Sequence, residues 1–124
     1  MQAAEKLHAY SRTYEGGRVS SRAKDLVDLA LIAHLFTLDA DQLRRAIEDE
    51  FAARATHKKP QHLPPSPEQW REPFGQLAAA VGLDRDLDVG RGAAAAMFDP
   101  ILKHQIQAGT WSPETQQWTN ITTS

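Results

Sequence analysis

Cysteine is absent from the 124 residues of this chain. Its absence excludes disulfide bonds, thiolate nucleophiles and cysteine-ligated zinc, and it is compatible with a reducing cytoplasm. Long apolar runs are also missing, because the longest, residues 26–36, is too short to span a bilayer and includes Asp28 and His34. The first residues lack the apolar core of a signal peptide. We therefore expect a cytoplasmic protein that does not enter a membrane.

The chain has no excess of positive charge, since 14 Lys and Arg stand against 16 Asp and Glu. It therefore has no overall field to attract nucleic acid, and a polyanion would have to be held by a local patch. One such basic group occurs in mid-chain: Arg54, His57, Lys58, Lys59 and His62. A solvated linker is the simplest interpretation of this group, and phosphate contact is the alternative.

The chain is long enough for one modest hydrophobic core, and we expect a single domain. Apolar residues recur at spacings of three and four, which predicts an all-α fold, a compact bundle of about five helices. Ser21 and Asp39 are the expected N-caps of the second and third helices. The predicted helices cover residues 2–11, 21–36, 39–54, 73–82 and about 84–109.

Two segments interrupt the helical pattern. Residues 56–67 contain four prolines, which favour an extended crossing over regular hydrogen-bonded structure. The C-terminal tail places Trp111 and Trp118 on either side of a turn sequence, so we expect a short irregular or hairpin-like end. The second helix is apolar nearly all round, which places it in the middle of the domain.

Two apparent ligand motifs fail on inspection. Residues 84–92, DRDLDVGRG, begin like a calcium loop, but Val89 occupies the position of the sharp turn and Ala95 that of the bidentate glutamate. The same stretch lacks the preceding strand of a dinucleotide fingerprint. The five histidines show neither HxxxH nor HExxH spacing. The sequence therefore predicts no metal site in this chain.

Asp25 and Asp28 lie three residues apart near the start of the second helix, and so on one helical face. Carboxylates near a helix N-terminus are stabilised by its unpaired amides, and Lys24 can pair with Asp28 one turn on. The same spacing would also let the two carboxylates accept a proton, orient a basic side chain or assist a metal held elsewhere. The pattern alone leaves both interpretations open.

The run AAEKLHAYSRTYEGGRVSSRAKDLVDLALIA resembles the third and fourth motifs of the AbiEii-type nucleotidyltransferase toxins. In that family an Ala-Glu-Lys-Leu-x-Ala helix leads through a variable loop to Arg-x-Lys-Asp-x-x-Asp-Leu. The resemblance implies that Lys6 contacts nucleotide phosphates and that Asp25 or Asp28 assists attack by the acceptor group. Arg22 and Lys24 are implied as supporting nucleotide-binding charges.

The chain departs from that family in one respect that matters for catalysis. It contains neither the Gly-Gly or Gly-Ser phosphate motif nor a strand-borne Asp-x-Asp pair that would hold Mg²⁺. Asp84, Asp86 and Asp88 match the Asp-x-Asp pattern, but they come after the third and fourth motifs in the sequence. We therefore expect the helical C-terminal part of a truncated or split toxin, with motif-bearing helices in 1–36 and a helical support region in 37–124.

The resemblance also implies partners. The expected ones are an N-terminal nucleotidyltransferase half, a nucleoside triphosphate, an RNA acceptor and an antitoxin, with Mg²⁺ bound only when the N-terminal half is present. Without the metal carboxylates, we expect no catalysis by this chain alone. The alternative is a non-catalytic helical interaction or regulatory module, or a gene remnant, that forms a homo-oligomer.

Overall fold

The computed structural model describes residues 2–11, 19–54, 59–64, 66–106 and 108–120. In these ranges, no helix is both long enough and apolar enough to cross a membrane. The elements in chain order are α1 (Gln2–Ser11), α2 (Val19–Leu35), β1 (Leu38–Asp39), α3 (Ala40–Arg54), a 3-10 turn (Glu68–Trp70), α4 (Arg71–Ala80), α5 (Leu87–Leu102), β2 (Gly109–Ser112) and β3 (Gln117–Asn120).

Helix α2 is the centre of the bundle, as its sequence predicts. It packs against α1, α4, α5 and the 3-10 turn. Residues on opposite sides of α2, such as Val27 and Leu29, are buried, whereas Lys24 and Leu35 on the remaining side are exposed. A helix that buries most of its circumference needs neighbours on several sides, and the short α1 is held in place by this packing, not by its own propensity.

The described residues of the proline-rich crossing, 59–64, 66 and 67, form neither helix nor strand, and side chains hold them in place. The Leu63 amide donates to Asp99 Oδ1 at 2.7 Å, and the Arg91 guanidinium donates to the Leu63 carbonyl at 2.8 Å. The Tyr10 hydroxyl donates to the Pro64 carbonyl at 2.7 Å. A segment without helix or strand has no internal hydrogen-bond ladder, so these contacts from α1 and α5 satisfy backbone groups of Leu63 and Pro64.

The all-α prediction is right for most of the chain but incomplete. The described residues include a small antiparallel sheet in the order β1-β2-β3. The C-terminal hairpin was expected, and Trp111 faces Trp118 across it. Strand β1, where Leu38 faces Trp111, was predicted only as a connection. Two residues are too few to show the alternation by which a strand is recognised.

Several predicted boundaries shift. Asp39 caps α3 as expected, accepting from the Gln42 amide at 2.9 Å. Helix α2 begins at Val19, before the predicted cap Ser21. The predicted continuation of the last helix to Gly109 is wrong, because α5 ends at Leu102. Pro100 lies within its last turn, and the Pro100 carbonyl accepts from Gln105 at 2.9 Å, which closes the helix early.

Candidate functional site

The two predicted motifs meet where α1 crosses α2. The Lys6 ammonium on α1 lies 2.9 Å from Asp28 Oδ2 on α2, and Lys24 Nζ lies 3.1 Å from the same oxygen. The Asp28 side chain is 19% exposed and that of Lys6 is 30% exposed, so the pair is partly shielded from water. Asp28 is therefore held by one lysine from its own helix and one from the neighbouring helix.

The packing of α1 explains how Lys6 reaches α2. Ala3, Leu7 and Tyr10 form the buried face of α1, at spacings of three and four residues. Lys6 precedes Leu7 and so lies at the edge of this face, where its ammonium reaches the Asp28 carboxylate. The apolar spacing of α1 thus places the lysine beside the second motif.

The surroundings of Lys6 favour its charged form. The hydrogen bond to Asp28 raises the pKa of Lys6, partial burial opposes the rise, and the charges of Asp28, Asp25 and Glu5 add to it. A raised lysine pKa contributes stability that is complete at neutral pH and is lost only as the pH rises through the folded-state pKa. Lys6 is therefore a permanent cation at neutral pH, suited to contact an anion and unsuited to act as a base.

A groove of about 300 Å³ opens beside this pair. Its charged end consists of Lys6, Lys24 and Asp28. Its other end is formed by Gln2 and by the apolar side chains of Leu31, Ile32, Leu35 and Phe36. The groove is open to solvent, and it changes from charged to apolar along the length of α2.

The predicted site residues are thus brought together in part. Lys6, Lys24 and Asp28 are in contact, and Asp25 lies close enough for its charge to act on Lys6. The side chain of Arg22 lies outside the described residues. No comparison tests the catalytic roles given to Asp25 and Asp28, which stay predictions.

The sequence did not predict the apolar end of the groove. Leu35 and Phe36 were assigned to a helix surrounded by the core, yet they are 65% and 49% exposed. A helix that is apolar on all faces has no polar stripe to show which end leaves the core. The site therefore includes residues for which the sequence gives no signal.

The three aspartates that match the Asp-x-Asp pattern, Asp84, Asp86 and Asp88, have other roles. The Asp84 carboxylate accepts from the Asp86 amide at 2.8 Å, and Asp86 in turn caps α5 by accepting from Asp88 at 2.9 Å. The Arg71 guanidinium pairs with Asp86 at 3.2 Å and with Asp88 at 3.3 Å. Among the described residues, no group of three or more His, Cys, Asp or Glu side chains is placed to hold a metal ion.

The basic group of mid-chain is described only in part. Its members Arg54, His57 and Lys58 lie outside the residues whose side chains are described. Lys59 lines a second groove, of about 480 Å³, together with Lys103 and His104 from the end of α5. Lys103 follows the C-terminus of α5, where a lysine is favourable for the helix itself, so its position needs no ligand to explain it.

Comparison with known proteins identifies the family of the chain. A nucleotidyltransferase family model, described as nucleotidyl transferase AbiEii toxin of type IV toxin–antitoxin systems, matches residues 1–107. This range includes both motifs and all of α1 to α5, and the chain belongs to the AbiEii family. Searches of curated proteins and of solved structures found no match.

Proposed function

We propose that this chain supplies the helical part of a nucleotidyltransferase active centre. In this proposal Lys6 contacts the phosphates of a nucleoside triphosphate, and Lys24 and Arg22 add positive charge. Asp25 or Asp28 assists the attacking group. The observation that carries the proposal is the 2.9 Å contact between Lys6 and Asp28, which joins the two family motifs at one surface.

The reaction is a displacement at phosphorus. The oxygen of an acceptor hydroxyl, on RNA in this proposal, forms a bond to the α-phosphorus while the bond from that phosphorus to the bridging oxygen breaks. Pyrophosphate leaves, and the hydroxyl proton passes to a carboxylate, Asp25 or Asp28. Lys6 stabilises negative charge on the phosphates as a compact cation.

The described residues do not fit a magnesium site, since no cluster of carboxylates is placed for one. Mg²⁺ neutralises the phosphates during such a transfer and is normally held by carboxylates. We therefore propose that the Gly-rich and Asp-x-Asp motifs act from another polypeptide or segment, and that this chain does not catalyse transfer without them. An antitoxin is the further partner that the family description suggests.

A second candidate is a non-catalytic helical module that self-associates. The exposure of Leu35 and Phe36 favours it, because exposed apolar neighbours often mark a contact surface. It predicts an oligomer that binds no nucleotide. Nucleotide binding that depends on Lys6 would therefore separate the two candidates.

Reconstituted transfer tests the proposed roles. The chain is mixed with Mg²⁺, each α-labelled triphosphate, total tRNA and a protein segment of this family that carries the Gly-rich and Asp-x-Asp motifs. We expect label on RNA, and a loss of roughly a hundredfold or more in rate with Lys6→Met. Arg45→Met, an exposed arginine paired with Asp41 on α3, is the matched control and keeps the wild-type rate.

Separate neutral variants distinguish the two carboxylates. If the residue that accepts the proton is changed to Asn, the pH–rate profile of the variant loses its acid limb. A residue that only positions Lys6 raises KM for the nucleotide and keeps that limb. Wild-type transfer by Lys6→Met, or an unchanged profile in both Asp25→Asn and Asp28→Asn, would contradict the proposed roles.

A further inference from the structure

The groove beside Lys6 has two chemically different ends on one face of α2. Asp28, Ile32, Leu35 and Phe36 follow one another at helical spacing, so they form one stripe. At a rise of 1.5 Å per residue, Phe36 lies about 12 Å beyond Asp28 along the helix. A molecule lying in this groove therefore meets lysines at one end and an aromatic ring at the other.

The apolar end is unusually open to solvent. Leu35 and Phe36 are large apolar side chains with exposed fractions of 65% and 49%. Phe36 also borders a smaller apolar cavity of about 150 Å³ with Ala3 and Leu38. Covering this surface removes apolar area from water, so an occupant with an apolar face gains binding free energy here.

The size and charge of the groove identify the occupant. Its volume of about 300 Å³ is at the lower end of the range for small-ligand pockets. The lysines at one end fit an anionic group, and the Phe36 ring at the other fits a flat apolar group. A nucleoside triphosphate combines both in one molecule.

We propose that Phe36 is the nucleobase platform of this chain, with Leu35 beside it and the triphosphate directed towards Lys6 and Lys24. This inference rests on the proposed function, and it adds the position of the base and the residue that carries it. Stacking on an aromatic ring tolerates all four bases, because each has a π-face. Gln2, which also lines the groove, has an amide that can hydrogen bond to a base edge.

Calorimetric titration with two probes tests the proposal. MgATP carries both a base and phosphates, whereas magnesium tripolyphosphate carries phosphates alone. We expect Phe36→Ala to weaken MgATP binding roughly tenfold and to leave tripolyphosphate binding unchanged. Phe36→Trp, which keeps an aromatic face, retains MgATP affinity. Val81→Ala is the matched control, because Val81 is 47% exposed and lies outside the groove, and it changes neither affinity.

The following results of the titrations would overturn the proposal. Equal MgATP affinity in wild type and Phe36→Ala overturns the base platform, as does an equal loss of both probes in Phe36→Ala. If Lys6→Met binds tripolyphosphate as tightly as the wild type, Lys6 does not contact phosphate and the proposed function is wrong on that point. The base platform is then still tested by the MgATP affinities of wild type and Phe36→Ala. Wild-type protein that binds neither probe overturns both the base platform and the phosphate role. An oligomer that Phe36→Ala disperses shows that a second copy of the chain covers this surface.

Discussion

Two glycines of α5, only two positions apart, differ in what surrounds them. A Cβ on Gly90 would lie 2.2 Å from Phe74 Cζ, whereas a Cβ on Gly92 would meet nothing within 4 Å. Both are within the helix. Gly90 therefore allows α5 to approach α4 closely, while Gly92 only weakens the helix.

We accordingly expect opposite effects from the same substitution. Gly90→Ala destabilises the fold by about 1–3 kcal/mol, because the Phe74 ring must move in a packed interior. Gly92→Ala stabilises it by about 0.5–1 kcal/mol, because alanine restricts the unfolded chain and favours the helix. Urea unfolding measures both changes. A loss of stability in Gly92→Ala equal to that in Gly90→Ala would contradict the packing described here.

Trp111 joins the C-terminal hairpin to the end of α2. Its indole N–H donates to the Ala33 carbonyl at 2.8 Å, and the side chain is fully buried. Ala33 lies in the last turn of α2, where carbonyls lack partners within the helix. The tryptophan therefore satisfies a carbonyl that would otherwise be buried without a partner.

Trp111→Phe is expected to lower the free energy of unfolding by about 1–3 kcal/mol, because it removes this donor and leaves the acceptor buried. Trp118→Phe is the matched control. Its indole donates to Met97 at 2.9 Å, and Met97 lies inside α5, where its carbonyl also has a helical partner. We therefore expect Trp118→Phe to lose less free energy of unfolding than Trp111→Phe. A larger loss for Trp118→Phe in urea unfolding would contradict the role given to Trp111.

The sequence predicted some of the contacts between individual site residues. Lys24 and Asp28 are four residues apart on one helix, so their contact follows from helical geometry. The contact of Lys6 with Asp28 depends on how α1 crosses α2, which no local pattern specifies. Resemblance to the family motifs, not spacing, singled out Lys6.

The described part of the proline-rich crossing is held by single side chains. Asp99 accepts the Leu63 amide at 2.7 Å, across 36 positions of sequence. Asp99→Ala removes the acceptor, whereas Asp99→Asn keeps a carbonyl oxygen there. We expect a loss of about 1–3 kcal/mol for Asp99→Ala and a smaller one for Asp99→Asn. Hydrogen exchange of the Leu63 amide should become faster in Asp99→Ala, because that amide no longer has its acceptor. Unchanged exchange in Asp99→Ala would exclude this role.

The junction between the 3-10 turn and α5 depends on one arginine. The Arg71 guanidinium forms two hydrogen bonds with Glu68, and this contact lowers the pKa of Glu68. Such a carboxylate contributes stability above its ordinary pKa, and that stability is lost as the pH falls through the folded-state value. The pair is exposed, so the effect is small and decreases with salt.

The thermal midpoint of the wild type should therefore fall more on acidification below the ordinary glutamate pKa than that of Arg71→Met. Thermal unfolding followed by circular dichroism at a series of pH values measures the difference. Repeating the series at high salt should reduce it. Identical pH profiles for the two proteins at low salt would show that the Arg71 contact contributes nothing.

Prediction of the elements succeeded where the signal is local. Asp39 followed by Gln42 predicted the start of α3, and the prolines predicted the crossing. Ser66 lies just before the 3-10 turn, and its hydroxyl lies 2.8 Å from that of Tyr10. That contact spans 56 positions, so the local sequence could not indicate it.

At the scale of the whole molecule, the bundle serves to hold α1 and α2 in one relative position. Helix α5 packs against α2, and the hairpin contacts the end of α2, where Trp111 donates to the Ala33 carbonyl at 2.8 Å and Gln116 lies 2.9 Å from His34. The C-terminal end of α2 is thereby fixed beside the groove. We therefore propose that most of the chain supports a phosphate-contacting surface and that groups outside it supply the metal-binding chemistry.

Transfer of label from α-labelled triphosphates to tRNA, with Mg²⁺ present, tests this division most directly. The account predicts no labelled RNA with this chain alone and labelled RNA after addition of a family segment that carries the Gly-rich and Asp-x-Asp motifs. Labelling of RNA by the purified chain alone, abolished by Lys6→Met, would contradict the claim that the metal-binding groups lie outside these residues.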